Sequence, residues 1–251
     1  DALKKLKIKC PFYISQNDGT LMAANIVKNY PVLTFASGPT NSMRGATFLS
    51  GHKNAIVVDI GGTTTDFGVI KEGFPRESSI PVDIGGVRTN FRMPDLVSIG
   101  LGGGSLIEFN NNEVKVGPES VGYKLTSESL IFGGNKLTAS DIAISQGLAN
   151  FGDKEKISHL DKKIIIKTMQ VIKQMIEEGI DRVKLNKDPV PVILVGGGNI
   201  LVENNLEGAE EVIIPDYSDV ANAIGASLAQ AGGEIDKIYS YSDIGREKSL
   251  E

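Results

Sequence analysis

The sequence is poor in cysteine and histidine and has no long apolar run, and each scarcity narrows what the protein can be. Cys10 is the only cysteine, so no intrachain disulfide framework can form, and a reducing cytoplasm is the expected setting. Free cysteine is usually a small buried residue, and Cys10 is read that way rather than as a nucleophile. The two histidines, His52 and His159, stand alone, without zinc-ligand spacing or the makings of a Ser-His-Asp triad. No apolar stretch approaches the ~20 residues that span a bilayer, and no signal peptide is recognisable. Net charge is −5 and no lysine or arginine block suggests a basic face, so neither nucleic acid nor a membrane is expected as a partner. The first residue is Asp1 rather than Met, and an excised fragment is the expectation.

What is present is ordinary globular chemistry. The 251 residues are 41% hydrophobic and 23% charged, enough for one large α/β lobe with an insertion or two modest domains. Glycine is plentiful, at 29 residues, and clustered, at 61–62, 85–86, 102–104, 133–134, 196–198 and 232–233. Such clusters mark tight turns or backbone that approaches a ligand closely.

Residues 12–15 read as a strand, 17–19 as a turn, and 21–30 as a helix stopped by Pro31. A second helix is predicted over 37–51, with Pro39 at its start and Gly51 at its end. Ala55 to Asp59 is the clearest strand, followed by a turn and a second strand, Asp66 to Ile70. Residues 74–93 read as further antiparallel strand, with Asp83-Ile84-Gly85-Gly86 as a hairpin turn. A hairpin tip is predicted at 109–113, and Thr138 to Asp141 opens a helix running to about 148. The longest helix is expected over 161–185, where Ile165, Met169, Ile172, Met175, Ile176, Ile180 and Val183 form one stripe. Its methionines are core filler, not ligands. Lys154 to Lys156 and Asp161 to Lys163 are solvated faces. Pro191 to Val195 reads as a buried parallel strand, and a last helix is expected over 218–230. Strands alternating with helices imply an α/β layered fold.

The chemistry concentrates in Asp59-Ile60-Gly61-Gly62-Thr63-Thr64-Thr65-Asp66. A strand ends in a carboxylate able to hold a metal-bound water. Two glycines then let backbone N–H groups face an anion, and three threonines add hydroxyls. An ordinary turn needs neither the flanking aspartates nor the threonines. The pattern predicts a hairpin that grips phosphate, with Mg²⁺ balancing the charge. Asp59 is the metal candidate. Gly61, Gly62, Thr63 and Thr64 are the phosphate cradle, Thr64 offers a hydroxyl to the transferring group, and Asp66 orders the hairpin. Gly196, Gly197, Gly198 and Asn199 follow the predicted parallel strand, where ligands approach α/β sheets, and are expected to border a nucleoside. Gly102, Gly103, Gly104 and Ser105 admit two readings: a substrate or phosphate loop, or a glycine turn packed on a neighbouring helix.

The two glycine motifs in this order resemble the superfamily of actin, sugar kinases and heat-shock chaperone ATPases, as its second phosphate loop and adenosine loop. Ser37-Gly38-Pro39 and Asp219 to Ala226 resemble its two interdomain connector helices. The order of Ser15 to Gly19, Ser37 to Pro39, Asp59 to Asp66, Gly102 to Ser105, Val116 to Ser120 and Leu137 to Asp141 resembles, more closely, the hydantoinase A, oxoprolinase and acetophenone carboxylase family. That resemblance implies ATP and Mg²⁺ as cofactors and an ATP-dependent opening of cyclic amides by carbonyl phosphorylation. The chain departs from the family over Val121 to Leu130, where a proline- and cysteine-containing stretch is usual. It also lacks, before Asp59, the family's additional Asp-Gly-Gly-Thr loop. The resemblance therefore implies a facing lobe or second subunit, and weak ATP binding by this chain alone.

The expected fold is thus α/β: a ribonuclease-H-like (actin-like ATPase) lobe over 37–251 with an inserted α+β subdomain at about 95–185. Residues 1–36 are expected to be the tail of a preceding lobe. A cyclic amide is the expected substrate. The alternative is a chaperone-like or reactivating ATPase that uses the same clamp to remodel a protein partner.

Overall fold

The computed structural model describes residues 2–78, 83–84, 86–88, 93–110, 113–203 and 205–232. Its central elements, in chain order, are α1 (Ser37–Ser50), β1 (Ala55–Ile60), β2 (Thr65–Lys71), β3 (Leu96–Ile99), β4 (Ser105–Asn110), β5 (Glu113–Ser120), α2 (Ala139–Ser145), α3 (Lys162–Val183), β6 (Val190–Val195), β7 (Ala209–Ile213) and α4 (Ala221–Leu228).

A mixed sheet of order β7-β6-β1-β2 forms the centre. β6 runs parallel to both β1 and β7, while β1 and β2 are antiparallel. The far edge of β2 carries β3 against Thr65 to Gly68, and the two-residue strand Phe74–Pro75 against Ile70 and Lys71. Val192 lies opposite Ile56 and Val195 opposite Asp59. Strands β1 and β6 therefore end side by side, where β2 begins and β3 ends.

Both faces of the sheet are covered, which is why its central strands are continuously apolar. Ile56, Val58, Phe67, Val192 and Leu194 pack with Ile165, Met169, Ile172, Ile176 and Ile180 of α3. Ala55, Val57, Ile193 and Val195 pack on the other face with Met43 and Ala46 of α1 and Ala221 of α4. Each buried Ile, Leu, Val or Met contributes about 1.5–3 kcal/mol relative to exposure. The stripe on α3 follows helical spacing, and the Asp161 carboxylate caps it by accepting from Lys163 N at 2.7 Å. Helices α1 and α4 cross with their backbones touching. A Cβ on Gly45 would overlap the Ala221 carbonyl, and one on Gly225 the Asn41 carbonyl.

The predicted elements near the site appear where expected: α1 ends on Gly51 in the left-handed region, and Thr138 and Asp141 close a capping box that opens α2. The strands flanking the tip at 109–113 pair as β4 and β5, with residues 111 and 112 outside the described set. Asp83–Ile84 pairs with Val87–Arg88 as a hairpin, with Gly85 outside the described set.

Three expectations change. Leu21–Ala23 is a strand paired with Tyr13–Ser15, leaving helix only over Ala24–Val27; cross-strand pairing overrides local helix preference. The last helix is shorter, a 3₁₀ turn at Ser218–Val220 and then α4. Cys10 is exposed rather than buried, because the segment 2–12 packs into neither face of the sheet. Within the span 95–185 expected to be inserted, β3 pairs with β2 of the main sheet and α3 packs on it, with the hairpin β4-β5 and α2 between them in sequence. The fold is the expected α/β, ribonuclease-H-like layering with an insertion. Among the described residues, no helix is long and apolar enough to cross a membrane.

Candidate functional site

The strand register brings Asp59 and Asp66 directly opposite each other across the antiparallel pair. Directly opposed like charges repel, and both sites are partly buried. Asp59 is held above the usual carboxylate range by burial, opposed by a hydrogen bond from the Ser42 hydroxyl. Asp66 is also raised, first by burial and then by the Asp59 charge, against the pull of the Ser98 hydroxyl.

Between the two aspartates, residues 61–64 form the turn. Three of its carbonyls face protein donors. Gly61 O accepts from Gly103 N at 3.0 Å, Gly62 O from Gly104 N at 2.8 Å, and Thr64 O from Gly61 N at 2.9 Å. Ser120 Oγ adds a second donor to Gly62 O at 3.3 Å. The N–H groups of Gly62, Thr63 and Thr64, and the hydroxyls of Thr63 and Thr64, make no such bonds among the described residues, and all three residues are exposed. A turn whose amides are open to solvent can take an anion.

The loop after β6 comes alongside. Gly198 N donates to Ile60 O at 2.8 Å and Gly196 N to Ser218 O at 2.9 Å. Asn199 Nδ2 donates to Ser218 Oγ at 2.9 Å. Gly196 has φ +85°, and a Cβ there would overlap Ile60 O and sit 2.5 Å from Asp59 Oδ1. Only glycine combines that backbone with that proximity. Gly197 is exposed with open space around its Cα. Just beyond, Leu201, Val202 and Glu203 line a cavity of ≈ 200 Å³ with Gln146, Ile166 and Met169.

Gly102 to Ser105 lie against the 61–64 turn. Gly103 N and Gly104 N are spent on the 61–62 carbonyls, and Gly102 N on Ser105 Oγ at 2.8 Å. Gly103 O accepts from Ser140 N at the start of α2, at 2.9 Å. With all three glycine amides engaged, the loop braces the hairpin against α2 and offers a ligand no free amide. Sequence reasoning missed the hydroxyls that hold the site: Ser42 on Asp59, Ser98 on Asp66, Ser120 on Gly62 and Ser218 on the 196–199 loop. Lone serines in helices and strands carry no distinguishing signal, and only the tertiary contacts reveal them.

The donor set suits a hydrated divalent cation. Two carboxylates that burial pushes toward neutrality, Asp66 also by the Asp59 charge, regain their charge beside a cation. Among the described residues no group of three or more Asp, Glu, His or Cys could hold a metal. An ion that keeps several waters and takes one or two carboxylates plus phosphate oxygens, as Mg²⁺ does, is the matching type.

The raised pKa values set a pH dependence. Each folded-state value lies above 3.8, so the folded chain holds protons more readily than the unfolded chain. The stability cost of the ionised pair is full at neutral pH and is relieved as pH falls through the raised values toward 3.8. Asp66→Asn is therefore expected to raise the metal-free Tm at neutral pH, with the gain gone near pH 3.8. A lower Tm at neutral pH, by calorimetry, would contradict this.

The model of the hydantoinase/oxoprolinase family matches residues 1–183. The chain belongs to that family. It is 28% identical over 144 residues to the acetophenone carboxylase gamma subunit of Aromatoleum aromaticum, covering 55% of this chain and 19% of that protein. It is 33% identical over 99 residues to the acetone carboxylase beta subunit of Xanthobacter autotrophicus, covering 37% and 13%. Among solved structures it resembles nucleotide-free acetone carboxylase, with TM-score 0.73 and 21% identity over 91% of this chain and 36% of that one. It also resembles the ATP-dependent caprolactamase of Pseudomonas jessenii, with TM-score 0.69 and 21% identity over 92% and 38%. The solved structures establish the fold. This family member spans less than two fifths of those chains and a fifth or less of the curated relatives.

Proposed function

We propose that this chain is the phosphate-gripping lobe of an ATP-dependent enzyme that activates a poorly electrophilic carbonyl, a cyclic amide of the hydantoin or oxoproline type. The observation that carries this reading is the 61–64 turn, with open amides and hydroxyls between two facing carboxylates. Membership of the hydantoinase/oxoprolinase family supports the substrate class.

Gly62, Thr63 and Thr64 would hold the β- and γ-phosphates through their N–H groups, with the Thr64 hydroxyl toward the transferring phosphoryl group. Asp59 would orient water on a bound Mg²⁺, and Asp66 would keep the hairpin in register. Bound Mg²⁺ would neutralise phosphate charge. Gly197 lets a nucleoside approach the backbone, next to the cavity at Leu201 and Val202. In the reaction, the amide carbonyl oxygen bonds to the γ-phosphorus as the bond to the β–γ bridging oxygen breaks, releasing ADP. Water would then add to the activated carbon, the ring C–N electron pair would leave as the amine and take up a proton, giving a ring-opened acyl phosphate, and a second water would hydrolyse that to the carboxylate and phosphate. The protein's share is positioning and charge stabilisation, as in phosphoryl transfer generally.

The substrate and nucleotide would close between this lobe and a facing lobe or second subunit. Leu6, Phe12, Tyr13, Tyr30 and Phe35 are exposed on residues 1–36. The same segment is tied to α1 through Thr40 Oγ1 on Asn17 O and Arg44 on Gly19 O. An apolar surface on that scale is consistent with a partner surface.

The test is ATP hydrolysis by the complete protein with any co-purifying subunit, against panels of hydantoins, oxoproline and lactams, and of ketones with bicarbonate. Stimulation by one cyclic amide is expected. The identities to two carboxylase subunits favour a specific second reading, in which stimulation needs a ketone and bicarbonate. Hydrolysis indifferent to both panels and raised by a protein partner would instead assign a remodelling ATPase.

A further inference from the structure

Two segments flank the 61–64 turn, and they meet it at different points. The 196–199 loop meets its start, where Gly198 N donates to Ile60 O at 2.8 Å and a Cβ on Gly198 would sit 2.8 Å from Gly61 O. Residues 120–122 meet it further along. Ser120 Oγ reaches Gly62 O at 3.3 Å and accepts from Gly122 N at 3.0 Å. Val121 N donates to Gly104 O at 3.0 Å, and Gly104 N to Gly62 O at 2.8 Å. Apart from its chain neighbours, the one atom of the described residues within 4 Å of a Cβ built on Gly122 would be Thr63 Oγ1, at 3.9 Å. The segment is pinned to the turn, with bare backbone at Gly122 facing the Thr63 hydroxyl.

The side chains next to that contact are used differently. Val121 is buried. Lys124 pairs with Glu128, Nζ to Oε1 at 3.3 Å. Tyr123, one residue beyond the Thr63 contact, is 92% exposed, more than any other large apolar or aromatic side chain among the described residues. The core has no use for this ring, yet a braced segment carries it beside the phosphate turn.

A nucleotide lying along these parts has its nucleoside by Gly197 and its phosphates on residues 62–64. Phosphoryl transfer keeps the attacking and leaving oxygens roughly in line. The acceptor carbonyl therefore comes to the γ-phosphorus from the side away from the nucleoside, with reacting atoms about 3–3.5 Å apart. Residues 120–123 border the turn on that side.

We propose that Tyr123 is a substrate-contacting, specificity-determining residue, its ring face packing on the planar amide of the carbonyl substrate while the 61–64 turn holds ATP. Tyrosine suits the role because it offers a large, flat, apolar face at low conformational-entropy cost. Its hydroxyl transfers no proton in this scheme. The inference rests on the reading of residues 61–64 as the phosphate turn and of a carbonyl compound as the acceptor.

The experiment is steady-state phosphate release from Mg·ATP by the complete protein and its co-purifying subunit, with the substrate that stimulates it in the panels above. Tyr123→Ala and Tyr123→Phe are compared with wild type. At so exposed a position Tm is expected to hold in both. Tyr123→Ala is expected to raise KM for the organic substrate about 3- to 10-fold, the scale of one ring contact, with KM for ATP at the wild-type value. Tyr123→Phe keeps the ring and is expected to retain the wild-type KM. An unchanged organic-substrate KM in Tyr123→Ala would overturn the contact and leave the enzyme reading in place. A KM for ATP that rises in step would also overturn it, as would a Tyr123→Phe variant as weak as Tyr123→Ala, or a fall in Tm that accounts for the loss. Wild-type hydrolysis indifferent to every amide and ketone would overturn the enzyme reading itself, and this inference with it.

Discussion

Asp59→Ala in the complete protein is expected to lower nucleotide-dependent turnover by about 10³-fold or more, the scale of losing metal-centred charge stabilisation in a phosphoryl transfer. The substitution removes a carboxylate at the end of β1 that faces Asp66 and lies against Gly196. The fold is expected to survive. Asp59 is a partly buried charge at neutral pH, held above its ordinary pKa by desolvation, and removing a charge of that kind relieves a cost rather than breaking a support. Tm is expected to stay level or rise. Turnover at the wild-type rate would rule out Asp59 as a metal site, and a collapse in Tm would make it structural instead.

Gly102→Ala has the second largest expected effect, and it discriminates between two roles for its loop. A Cβ at Gly102 would overlap Thr63 N and sit 2.6 Å from Gly62 C. Both neighbours are backbone and cannot swing aside, so the turn itself must move. Overpacking of this kind costs about 1–3 kcal/mol. If the strain falls on the 61–64 amides, ATP affinity should drop about 10- to 100-fold, while affinity for the organic substrate changes little. Isothermal titration with a non-hydrolysable ATP analogue reads the first, and KM for the stimulating amide the second. Unchanged nucleotide affinity with a raised amide KM would return Gly102 to Ser105 to the substrate.

Several elements around the site were legible because their signals are local. The α3 stripe repeats at helical spacing and is buried along one side. Gly51 and the Thr138–Asp141 pair end and start helices by rules that act within four residues. The apolar β6 run is buried on both faces because α3 lies on one and the α1–α4 pair on the other. Where the reading slipped, a distant partner was decisive. Leu21 to Ala23 joins Tyr13 to Ser15 in a hairpin, and Leu96 to Ile99 joins β2 across a gap of about thirty residues, with no local mark of either pairing.

By itself the sequence determined the chemistry on offer: aspartates flanking a Gly-Gly-Thr-Thr-Thr turn, a glycine run after an apolar strand, and an order of motifs that belongs to one family. These are properties of residue type and of short spacing, which the chain carries wherever it goes. Tertiary structure decided how those parts are used. Register set Asp59 opposite Asp66; burial raises both, and the Asp59 charge adds to the rise of Asp66. Sheet order laid the 196–199 loop against Asp59, and backbone contact turned Gly102 to Ser105 into a brace. The crossing of α1 and α4 put Asn222 on Ser42, 180 residues away in sequence. Such couplings depend on distances of a few ångströms between segments far apart in the chain, and nothing local in either segment encodes the other.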